Sequence, residues 1–124
     1  MEIKKTDKGN DLCYESFYGT YFRSSYSSLM ETMYNMNGKL TFDNTVTMED
    51  VYKSLGLSNC APPIASQMGW NDEFMYVEYE TPAWIDFYIS TKIAPTGEPC
   101  MVLNYTLGPI SLPKWKEYVD RNLY

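Results

Sequence analysis

The chain has 124 residues, room for one ordinary domain, and 44% of them are apolar, enough to build a core. Ten basic residues against sixteen acidic ones leave a formal net charge of −6, which repels phosphate backbones and disfavours direct nucleic-acid binding. There is no histidine, so Ser-His, Cys-His and His-metal chemistry is excluded at once.

Residues 1–124 read as a single domain whose polar start, residues 1–11, forms a flexible or edge-strand arm. Tyr14, Phe17, Tyr18, Tyr21 and Phe22 then crowd one segment. Their spacing suits a helix, while Gly19, Thr20 and the density of rings suit a strand; an extended segment is adopted. Ser24 and Ser25 can cap a helix carrying Tyr26, Leu29, Met30, Met33 and Tyr34 at spacings of three and four, and Asn37-Gly38 gives it a stop. Thr47-Met48-Glu49-Asp50 resembles a capping box, so Met48–Leu55 is predicted helical, ended by Gly56. Residues 59–69, with Pro62-Pro63, read as loop.

Three strands are predicted next. Met75, Val77 and Tyr79 alternate with Glu78 and Glu80; Ile85, Phe87 and Ile89 alternate with Trp84, Asp86 and Tyr88; Met101, Leu103 and Tyr105 alternate with Cys100, Val102 and Asn104. The fold class expected is therefore α+β, an antiparallel meander of three or more strands with two or three helices on its aliphatic face. Leu55, Val77, Ile85, Phe87 and Leu103 are expected in the core. After Pro113, the residues Trp115, Tyr118, Val119 and Leu123 suggest a last amphipathic turn or two.

No apolar run approaches the roughly 18 residues of a membrane span, and no apolar stretch follows the first lysines, so neither a span nor a secretory signal is expected. Cys13, Cys60 and Cys100 form no CxxC pair and read as reduced thiols of a cytoplasmic protein.

Val51-Tyr52-Lys53-Ser54-Leu55-Gly56-Leu57, Met68-Gly69-Trp70, Ile85-Asp86-Phe87 and Gly97-Glu98-Pro99-Cys100-Met101-Val102-Leu103-Asn104-Tyr105, with Tyr18-Gly19-Thr20-Tyr21-Phe22 ahead of them, form a pattern in order. It resembles a family of small uncharacterised proteins and domains encoded in phages and mobile elements of Gram-positive bacteria. The resemblance implies a genetic setting, not a reaction, and carries over no functional residue.

No catalytic, cofactor or metal site is expected. The cysteines lack a base to activate them, and no phosphate-cradling glycine loop exists. Glu78, Glu80 and Asp86 could pair across strands for hydrolysis or an oxygen-ligand metal site, but a solvated acidic face accounts for them more simply. From Asp72 to Glu98, six acidic residues stand against one base, Lys92, a local net charge of −5. The interaction site expected is Asp72, Glu73, Glu78, Glu80, Trp84, Asp86 and Tyr88, where rings supply area and carboxylates supply steering. The expected function is inhibition of a host protein through a basic surface, a CRISPR effector nuclease being one candidate. Two alternatives stay open: an oligomeric phage structural or assembly accessory, or remotely a histidine-free carboxylate hydrolase.

Overall fold

The computed structural model describes residues 1–79 and 83–122, which form an α+β fold. The aromatic segment is not helical, and where the sequence reading adopted one extended segment it forms two strands joined by a turn at residues 16–19. β1 (Ile3–Lys4) is followed by β2 (Asp11–Glu15) and β3 (Thr20–Ser24), the last two paired antiparallel with Cys13 opposite Phe22. Gly19, at φ +81°, makes their tight turn, and its N–H donates to the Glu15 carbonyl at 3.0 Å.

α1 (Tyr26–Asp43) starts where expected, with the Ser25 hydroxyl accepting the Ser28 N–H at 3.3 Å. It runs on past the predicted stop at Asn37-Gly38. Asn37 is buried with its side chain bonded, and Leu40 adds another buried turn before Asn44 ends the helix in the left-handed region.

β4 (Thr45–Thr47) leads into α2 (Met48–Ser54), whose capping box forms as read: the Asp50 N–H donates to Thr47 Oγ1 at 3.1 Å, and the Thr47 N–H to Asp50 Oδ2 at 2.9 Å. The predicted loop instead contains a 3-10 turn (Pro63–Gln67) and β5 (Met68–Asn71). A Cβ at Gly69 would collide with the Val46 carbonyl, so only glycine lets β4 and β5 approach this closely. Trp70, beside it, is buried and donates its indole N–H to the Leu107 carbonyl at 2.8 Å.

The first predicted strand of the meander is a helix, α3 (Asp72–Tyr79). Asn71 Oδ1 accepts the N–H groups of Glu73 and Phe74 at 2.9 and 3.2 Å, and Asp72 and Glu73 sit at the positive end. Met75 is buried, while Val77, expected in the core, is 40% exposed. Leu55, Ile85, Phe87 and Leu103 are buried as predicted.

The other two strands are present as a hairpin, β6 (Phe87–Ile93) and β7 (Pro99–Tyr105), with Phe87 opposite Tyr105 and Ile93 opposite Pro99. β8 (Ile110–Ser111) and α4 (Leu112–Asn122) close the described chain. The larger sheet is mixed, in the order β1-β3-β2-β7-β6, because β2 lies parallel to β7 with Cys13 opposite Met101. β4, β5 and β8 make a second, antiparallel sheet.

One core joins Phe22, Leu29, Met33, Val51, Tyr52, Trp70, Phe87 and Leu103. A smaller cluster on the opposite face of the larger sheet gathers Leu12, Ala94 and Cys100 beneath Tyr14 and Tyr21. Among the described residues, no helix is long and apolar enough to cross a membrane.

Candidate interaction surface

Alternation from Trp84 to Tyr88 is as the sequence implies. Ile85 and Phe87 turn into the core, and Trp84 (47% exposed), Asp86 and Tyr88 (53%) turn out. Asp86 is held on both its groups: its carboxylate accepts from Thr106 Oγ1 at 2.8 Å, and its carbonyl accepts the Thr106 N–H at 3.0 Å. The exposed ring of Tyr34, on α1, meets Trp84 edge-on at 6.3 Å between centroids.

The acids predicted to share this face divide between two places. Asp72 and Glu73 join Tyr76 and Ala83 around a depression of about 380 Å³, beside the segment that leads into Trp84. Glu78 lies elsewhere, with Phe74, Lys114, Trp115 and Tyr118 along a groove between α3 and α4. A strand would have put Glu78 beside Asp86; a helix turns it away, so their cross-strand carboxylate pair does not form. Glu80 lies outside the described residues. Of the predicted residues, Trp84, Asp86 and Tyr88 share the outward side of one extended segment, and Asp72 and Glu73 lie by Ala83, next in sequence to Trp84.

Glu98 and Lys92, counted in that region, are also engaged within the fold. Glu98 pairs with Arg23 through two hydrogen bonds of 2.5 and 3.1 Å, which hold its carboxyl below the usual carboxylate range. Lys92 lies over the Tyr14 ring at 3.5 Å and the Tyr21 ring at 4.9 Å. Its pKa is raised, first by a hydrogen bond with Tyr21.

Sequence reasoning missed Glu15. It is fully buried, and its carboxylate accepts four donors: the N–H groups of Phe17 and Tyr18 at 2.9 and 2.8 Å, and the hydroxyls of Tyr52 and Tyr105 at 2.8 and 2.7 Å. Thr20 Oγ1 adds a contact of 2.7 Å to the Tyr52 hydroxyl. Four donors replace the water that a buried carboxylate loses. Burial, then the Glu15 charge, pushes both phenols well above their usual pKa, so they stay protonated donors. The cluster ties the β2–β3 turn to α2 and β7. With no exposed surface, Glu15 offers nothing to a substrate.

Two of the three thiols are also enclosed. Burial pushes the Cys13 thiol up to about 12 and raises that of Cys100, and thiols so protonated are poor nucleophiles. Among the described residues, no three Cys, Asp or Glu side chains gather closely enough to hold a metal ion.

A family described as "Family of unknown function (DUF6353)" matches the chain over residues 1–112. No curated protein and no solved structure matches it.

Proposed function

The chain belongs to the DUF6353 family of unknown function, and we propose that it acts by binding another protein, one with a basic surface, through the rings and carboxylates around Trp84. The observation that carries this reading is the outward line Trp84, Asp86, Tyr88, flanked by Tyr34 and by the Asp72, Glu73 and Tyr76 side of α3. Rings exposed together supply the contact area that anchors an interface, and carboxylates among them steer a basic partner. The enclosure of Glu15 and the protonated state of Cys13 and Cys100 favour binding over catalysis.

The resemblance to phage and mobile-element proteins supplies the biological side of the proposal. The target is a host protein in the host cytoplasm, and binding blocks it. A nuclease that grips nucleic acid with Lys and Arg, such as a CRISPR effector, is one such target, because a basic channel grips carboxylates as it grips phosphates.

The test is parallel capture from host lysate by the parent chain, by Trp84→Ala and by the triple change Asp72→Lys, Glu73→Lys, Asp86→Lys. A basic protein retained by the parent and lost from both variants is the expected result. Equal capture by all three removes this surface from the function.

A further inference from the structure

β6 ends the five-stranded sheet, and its two edges differ. The Asp86 carbonyl accepts the Thr106 N–H at 3.0 Å, and the Ala94 N–H donates to the Glu98 carbonyl at 2.9 Å. With the register of the hairpin, these bonds put Tyr88, Ser90 and Lys92 in the hydrogen-bonded pairs with β7. The odd-numbered residues therefore aim their N–H and C=O groups away from the sheet.

α1 closes the first part of that edge. Asn37 takes both backbone groups of Ile85, at 2.6 and 2.8 Å, and Met33 Sδ accepts the Phe87 N–H at 3.4 Å. Past Met33 the cover ends. Ile89, Thr91 and Ile93 have no neighbouring strand on that side among the described residues.

We propose that a second copy of this chain adds its own β6 to this edge, antiparallel about a two-fold axis at Thr91, merging two five-stranded sheets into one. The open window and the register end at the same place. Pairing Thr91 with the partner's Thr91, and Ile89 with the partner's Ile93, uses every outward group of Ile89, Thr91 and Ile93 in about six hydrogen bonds. One step further would set Phe87 against the partner's Pro95; Pro95 has no N–H to give, and the Phe87 N–H is already taken.

Side chains and charge agree with that register. Ile89 comes to lie beside the partner's Ile93, a β-branched cross-strand pair that covers a residue 67% exposed in the single chain. Lys92 is the one charged residue from Phe87 to Gly97, and it falls opposite Ser90 of the partner subunit rather than a second lysine. Its ammonium is drawn over Tyr14, so it does not guard the edge as an outward lysine would. On a chain of net charge −6, an edge free of acids is where two copies meet with least repulsion.

Sedimentation equilibrium of the full chain, from micromolar to millimolar, tests this beside Thr91→Pro and Ile93→Lys. Thr91→Pro removes an N–H that β7 does not use, while its ring obstructs an added strand. The parent should dimerise, and each variant should raise the dissociation constant at least about tenfold with secondary structure unchanged. Should Thr91→Pro fail to fold, Ile93→Lys, at an exposed position, decides alone. A parent that stays monomeric across the range, or a dimer indifferent to the substitutions that fold, overturns the proposal.

Discussion

Asn37 stands in for a β-strand beside Ile85: its side-chain oxygen accepts the Ile85 N–H at 2.6 Å, and its amide nitrogen donates to the Ile85 carbonyl at 2.8 Å. The amide also donates to the Met33 carbonyl at 2.9 Å, so one buried side chain locks α1 to the segment entering β6. Asn37→Leu leaves a buried N–H and C=O unpaired and should cost about 2–4 kcal/mol by chemical denaturation. Asn37→Asp, which keeps the acceptor and loses the donor, should also destabilise. A loss under about 0.5 kcal/mol in Asn37→Leu would mean that water reaches Ile85.

Burial separates two residues that the sequence placed together in the core. Phe87→Ala should cost about 3–5 kcal/mol, since the ring is buried and meets Tyr105 edge-on at 5.2 Å. Val77→Ala should stay within about 0.5 kcal/mol, because Val77 is exposed on α3. Equal losses would restore the strand reading of residues 74–80 and remove α3.

These outcomes track what local pattern can and cannot carry. The Ser25 cap, the Thr47/Asp50 box and the alternation from Trp84 to Ile89 are local, and each was legible. Residues 74–79 were misread because positions i and i+4 share a face in a helix and in a strand alike. Asn71-Asp72-Glu73 was the overlooked start signal. The stop at Asn37-Gly38 failed because the partner that stabilises Asn37 is 48 positions away. Glu15 was illegible for the same reason: its phenol donors are 37 and 90 positions distant, so alone it reads as a surface acid.

The Glu15 cluster makes stability fall at alkaline pH. Tyr52 and Tyr105 are held neutral in the folded chain above the usual phenol value near 10, while the same phenols ionise in the unfolded chain. A raised folded pKa is a contribution fully present below pH 10 and lost as pH rises beyond it. Denaturation followed against pH should therefore show stability declining above pH 10, and Tyr105→Phe should flatten that decline. Spectroscopic titration in which all twelve tyrosines ionise before unfolding would exclude this account.

Glu15→Gln probes the same cluster at neutral pH. An amide offers one oxygen where the carboxylate offered two, and its nitrogen would face donors, so about 2–4 kcal/mol should be lost. Adding Tyr52→Phe to Glu15→Gln should cost less than the two single losses together, because they share one hydrogen bond. Strict additivity would mean that the two side chains act independently.

Once a partner is in hand, its kinetics should separate steering from anchoring. In the proposed interface Asp72, Glu73 and Asp86 act on the encounter, so changing all three to Lys should slow association and weaken its dependence on salt. Raising ionic strength toward 0.15 M shortens the screening length to about 8 Å, and the parent's association should slow accordingly. Trp84 is the anchor of the proposed interface, so Trp84→Ala should raise the dissociation rate by about 30-fold, the equivalent of roughly 2 kcal/mol. Glu78→Lys supplies the contrast. Its carboxylate lies along the α3–α4 groove with Lys114 and Trp115, and not in the depression that Asp72, Glu73 and Ala83 line, so association should change less than with Asp86→Lys. If Glu78→Lys slows association as much as Asp86→Lys does, net charge rather than the surface around Trp84 steers the partner.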